Sequence, residues 1–170
     1  MSSFTKFDAE LEVKFHPKGT ETLGKDHWVT TNTFTYYIGY KNSDRYVTVP
    51  IGYLTDGASV PRLFWNIIPP WGKYGQAAVL HDYLCDYGVI MSVQGNAVLP
   101  IMVNRKEIDE IFYEALAVLN VNKFTISLMK RGVDLYRNLF KPTTPNISND
   151  KRALEKRIKE HYDKTGELDI

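Results

Sequence analysis

The apolar residues of this chain change their spacing near residue 55, and that change restricts the fold more than any other feature. Upstream they favour a period of two. Residues 10–15 (ELEVKF) alternate polar and apolar, as in a strand with one buried face. Residues 27–40 are rich in Val, Thr, Phe, Tyr and Ile, which suit a pleated surface. Residues 41–44 (KNSD) form a polar turn, so residues 45–54 should return as the partner strand of a hairpin. A small antiparallel sheet is expected.

Downstream the period lengthens. Residues 55–59 (TDGAS) form a loop in which Gly57 permits backbone angles closed to other residues. Pro61 can open a short helix over residues 61–68, stopped by Pro69, Pro70 and Gly72. Residues 73–87 read as a helix closed by Gly88. Within it Ala77, Leu80, His81 and Leu84 recur at helical spacing, which puts His81 on the apolar stripe. Residues 89–103 are apolar about a central Gly95-Asn96 and predict a β-hairpin. Asn104, with Glu107 three residues on, has the form of a capping box. The helix it starts should run to about residue 120 and bury Ile108, Ile111, Phe112, Ala115 and Leu119, with Asp109 in its first turn at the edge of that face. Residues 124–140 predict a further helix.

Strands first and helices after specify an α+β fold. It comprises a small N-terminal antiparallel sheet, then a helical core in which two helices carry His81 and Asp109, then a C-terminal helix. One domain is expected over residues 1–141, a linker over 142–149 (PTTPNISN) and a charged helix or tail over 150–170. That last helix has little apolar face, so it could stand detached or await a partner.

A chain of 170 residues can bury a core without staples. It has one cysteine, Cys85, so an intrachain disulfide is excluded. A net charge of +1 argues against a nucleic-acid partner. No signal-peptide core opens the chain, and no run reaches the roughly 18 apolar residues of a membrane span. His16, His27 and His161 lack metal-ligand spacing, so zinc is not expected. No phosphate-binding loop, dinucleotide fingerprint or nucleophile elbow is present.

The residues that could carry chemistry centre on His81-Asp82. Neighbours on a helix point about 100° apart, so an inward His81 leaves Asp82 facing another element. A histidine needs a partner to set its tautomer. Asp109 and Asp56 are the carboxylates placed to complete such a cluster. Each has a bland account as well. His81 could be a hydrogen-bonded core histidine, Asp56 could organise its own turn, and Asp109 could answer the helix dipole. Cys85 follows His81 by one turn and could form a Cys-His pair or a buried structural thiol. Trp65, Trp71 and Tyr74 could form a recognition surface or pack the core.

Residues 55–85 (TDGASVPRLFWNIIPPWGKYGQAAVLHDYLC) and 104–116 (NRKEIDEIFYEAL) closely resemble a family of phage and prophage proteins catalogued as domain of unknown function 1353. Its pattern is an Asp-Gly-Ala-Ser-x-Pro loop, a His-Asp pair followed by aromatics, and an Asp before a Phe on a later helix. The same order is distantly similar to the bacterial and parvoviral phospholipase A-two proteins. That resemblance implies that His81 is a general base activating water and that Asp109 orients it. It also implies that Asp82 and Asp56 are ligands of calcium. The chain departs from that pattern in having only Gly57 after Asp56.

The function implied is a phage-encoded hydrolase acting on an ester, with a lipid as candidate substrate. The alternative is a non-catalytic virion component (tail or baseplate) or an assembly protein. A small effector binding a host target is a third reading. Partners would accordingly be other phage structural proteins or a host target, and the location the host cytoplasm or the virion.

Overall fold

The computed structural model describes residues 6–57 and 72–170. The helix expected over 61–68, its Pro69-Pro70 stop, and Trp65 and Trp71 lie outside the described residues.

The expected α+β fold is present, with antiparallel strands, helices and a C-terminal helix, and the described strands form two antiparallel sheets. β1 (Val13–Phe15), β2 (Trp28–Thr30) and β5 (Leu54–Thr55) make a three-stranded sheet in the order β1-β2-β5. β3 (Phe34–Tyr37), β4 (Arg45–Val49), β6 (Val89–Gln94) and β7 (Ala97–Met102) make the other, in the order β3-β4-β6-β7.

Two long strands were expected over 27–40 and 45–54, and each is broken. The breaks face one another. Asn32 leaves the ladder and bonds residues near the chain start, accepting from the Glu12 N–H at 3.1 Å and donating to the Glu10 carbonyl at 2.6 Å. Opposite it, Pro50 has no N–H to donate, and Gly52 takes a φ of 85°, which favours glycine. The Thr30 hydroxyl joins the two corners, donating to the Pro50 carbonyl at 2.7 Å and accepting from the Tyr53 N–H at 3.0 Å. The hairpin therefore bends as a unit, with β3 and β4 in one sheet and β2 and β5 in the other. Its expected turn is present, since Tyr37 pairs with Tyr46.

The strand expected over 10–15 shortens to β1. After it comes a helix the strand pattern did not suggest, α1 (Pro17–Leu23). Its local signals are Pro17 in the first turn and Gly24 just past the end. His16 caps it, with Nδ1 accepting from the Gly19 N–H at 2.8 Å.

Local chemistry places the next elements as the pattern requires. α2 (Gly75–Tyr87) ends at Gly88 with a φ of 65°. The β6–β7 hairpin turns on Gly95-Asn96, with Gln94 opposite Ala97. α3 (Arg105–Val118) starts from a complete capping box between Asn104 and Glu107. α4 (Lys123–Phe140) follows after a short turn. Leu80 and Leu84 of α2 pack with Ile108, Ala115 and Leu116 of α3 and with Phe34 and Val47 of the larger sheet, all fully or almost fully buried. Tyr74 belongs to this core rather than to a surface. Asn104→Ala should cost about 1 kcal/mol, because it orphans a helix-start N–H. Urea unfolding measures this, and an unchanged midpoint would show that the cap carries no load.

The charged terminal helix α5 (Asn149–Thr165) is docked, not detached. Leu154 and Ile158 stand four residues apart on one face and form a second core with Val29 and Leu54. Two apolar residues suffice because polar pairs flank them. Glu155 accepts from the Leu54 N–H at 3.1 Å and from the Tyr87 hydroxyl, and Lys151 pairs with Asp86. Among the described residues no helix is long and apolar enough to cross a membrane.

Candidate functional site

α2 and α3 lie side by side in the core, and His81 meets Asp109 across their contact. Nε2 of His81 is 2.9 Å from Oδ1 of Asp109. Asp109 was expected in the first turn of its helix, at the edge of the apolar face. The helix begins at Arg105, which places Asp109 one turn in, and its side chain is only 1% exposed. A carboxylate that deep needs cations. Arg137 of α4 binds its other oxygen and also Asp134 at 2.7 Å, while Arg105 stands 3.7 Å from Oδ1. The sequence reading missed both arginines. Arg105 could have been found from its spacing four residues before Asp109. Arg137 had no local signal.

His81 lies against the Phe112 ring, with centroids 4.6 Å apart. Burial holds its pKa below the usual imidazole value, outweighing the Asp109 hydrogen bond, and the Arg105 charge pushes the same way. The neutral ring is therefore favoured near pH 7. In that form Nε2–H donates to Asp109, a tautomer assigned from its partner, and Nδ1 is left as the acceptor. The Cys85 sulfur is 3.8 Å from both ring nitrogens, against the ring rather than in line with either. Burial pushes the thiol pKa far up, which favours the structural thiol over a Cys-His nucleophile.

His81 faces a cavity of about 540 Å³, and Asp82 and Asp56 line the same space. Asp109 does not line it and stands behind the imidazole. Thr55 donates to Asp82 at 3.0 Å, and Lys25 pairs with Asp56. Asp86 and Lys151, which the sequence reading did not single out, complete a charged wall. The opposing character comes from Phe112, Leu128, Met129 and Val133. His16 and His27 serve backbone structure, His27 through a 2.7 Å contact with the Lys25 carbonyl.

Among the described residues the side-chain donors for a calcium ion are few. Calcium takes about six to eight oxygens. Among the described residues no group of three His, Cys, Asp or Glu side chains is disposed to hold a metal. Asp56 and Asp86 each already carry a lysine ammonium.

Burial pushes the Asp82 pKa well up, the Asp56 charge adds to this, and Lys151 offsets part of it. The folded value thus lies above the unfolded one. This group stabilises the fold below the ordinary carboxylate value, and that contribution is lost as pH rises from there through the raised folded value. Asp82→Asn keeps the Thr55 bond and removes the buried charge. It should raise the melting temperature at pH 7 by about 2–4 °C, with no gain at pH 3. A lower melting temperature at pH 7 would show that the carboxylate is stabilising as an ion.

A family model described as protein of unknown function (DUF1353) matches residues 30–133. An uncharacterized protein of Sinorhizobium fredii is 52% identical over 40 residues, which is 22% of this chain and 12% of that protein's length. No solved structure matches the chain.

Proposed function

The chain belongs to the family described as protein of unknown function (DUF1353), and we propose from its own site that it is an ester hydrolase with His81 as general base. The observation that carries this is the His81–Asp109 pair on the wall of a large cavity that is apolar on one part and charged on another. Such a cavity suits an ester with an aliphatic acyl chain.

In the reaction, Nδ1 of His81 takes a proton from water as the oxygen attacks the ester carbonyl. Asp109 holds the imidazolium that forms, as a buried carboxylate does in triad chemistry. The tetrahedral intermediate collapses, and His81 returns the proton to the departing alkoxide. The products are an acid and an alcohol. The order of parts, with a Gly-containing loop at Asp56, His81-Asp82 on one helix and Asp109 on the next, supports a likeness to the phospholipase A-two site. A phospholipid is then the natural first substrate to test.

The purified protein should hydrolyse medium-chain p-nitrophenyl esters or phospholipid vesicles, assayed both with calcium and with chelator. No hydrolysis in any arm would sink the reading. A second reading, a phage virion or assembly protein without catalysis, is favoured by the exposed Phe124, Leu135, Leu139 and Phe140 on α4. It predicts stoichiometric protein in purified particles rather than free in the host cytoplasm.

A further inference from the structure

The geometry points to Arg105 as the anchor for an anionic ligand group in the His81 cavity. The occupant it fits is an amphiphile with one phosphate or carboxylate head and an aliphatic tail. This shares the cavity of the proposed hydrolase but not its turnover, so the two readings can fail separately.

Arg105 is the first residue of α3, and its side chain lines the cavity at 15% exposure. Its Nε and Nη1 are shielded from solvent and make no hydrogen bond. The nearest carboxylate does not use them. Asp109 Oδ1 is 3.7 Å from Nε, beyond hydrogen-bond reach. That oxygen already has His81 at 2.9 Å, and Oδ2 has Arg137. Arg105 is therefore a partly buried cation with two shielded, unspent donors, which is costly unless something accepts them.

Among the described residues, the two lysines on the cavity wall are engaged. Lys25 is paired with Asp56, and Lys151 with Asp86. The remaining carboxylate on the wall among the described residues, Asp82, accepts from the Thr55 hydroxyl at 3.0 Å. A guanidinium fork matches the paired oxygens of a carboxylate or phosphate better than any other ligand group. The tail has its place on Phe112, Leu128, Met129 and Val133, which line the same space. Arg105 also acts electrostatically on His81, so the head group would lie near the imidazole.

The test titrates octyl phosphate, octanoate and neutral octyl glucoside, each below its micelle concentration, into the full chain. Binding is read by calorimetry and by the His81 ring resonances. Neither anion is a carboxylic ester, so the result does not depend on hydrolysis. At least one anion should bind, with the neutral amphiphile about tenfold or more weaker. Arg105→Gln should weaken that anion by about 10–100-fold and leave the neutral control unchanged. A preference for octyl phosphate would identify a phosphate head, and one for octanoate a carboxylate head. If Arg105→Gln does not fold, Arg105→Lys replaces it, and a several-fold loss is expected because the fork is gone. Equal binding of neutral and anionic amphiphiles, no anion binding, or an affinity unaltered by either substitution would overturn the assignment.

Discussion

Asp109→Ala should destabilise the folded chain by about 3–5 kcal/mol, the range found when one partner of a buried ion pair is removed. Asp109 is 1% exposed and stands among three groups that rely on it. Arg137 would keep only Asp134, Arg105 would lose its nearest carboxylate, and His81 would lose the acceptor at 2.9 Å. Partly buried cations left without their buried counter-charge cost more than the pair is worth when complete. Asp109→Asn keeps the volume and one acceptor, so it should cost less than the alanine variant. Urea unfolding followed by circular dichroism measures both. A loss below about 1 kcal/mol for Asp109→Ala would mean that the network is worth no more than a surface ion pair.

His81→Gln should lower ester hydrolysis by about 10²–10⁴-fold, the usual contribution of a positioned general base. Glutamine can still donate to Asp109 but cannot take a proton from water. The fold should persist, so circular dichroism should match the wild type. The pH profile adds a second readout. The active form is the neutral ring, and the folded pKa of His81 lies below its ordinary value. Activity should therefore rise along an acid limb centred below pH 6.5 and then level off. Stability follows the same direction. The unfolded histidine binds a proton more readily, so the contribution of neutral His81 is complete above the ordinary value and is lost as pH falls below it. Retained activity in His81→Gln, or a limb centred well above neutrality, would remove His81 from the mechanism.

The legible parts of the molecule were those governed by neighbours in sequence. The Asn104–Glu107 capping box, the Gly88 stop and the Gly95-Asn96 turn each depend on a few adjacent residues, and all three are where the pattern puts them. The two strands over 27–40 and 45–54 misled because their composition is continuous. Their shared bend depends on Thr30 meeting Pro50 and Tyr53 across the hairpin, which no window along either strand contains.

The site divides the same way. Helical spacing put His81 on a buried face, and the order of motifs named Asp109, Asp82 and Asp56. The first choice follows from local periodicity, and the roles of the three acids from what the resemblance implies. Which charges balance them does not. Arg137, Asp86 and Lys151 come from separate helices, and no spacing announces that they will meet. The docked α5 is the same lesson at larger scale. Its weak apolar face holds because Val29 and Leu54, far upstream, present a matching surface. Short-range geometry and capping settle where elements begin and end. Desolvation settles the rest, because a buried carboxylate such as Asp109 must be compensated by whichever cations the packed helices bring to it.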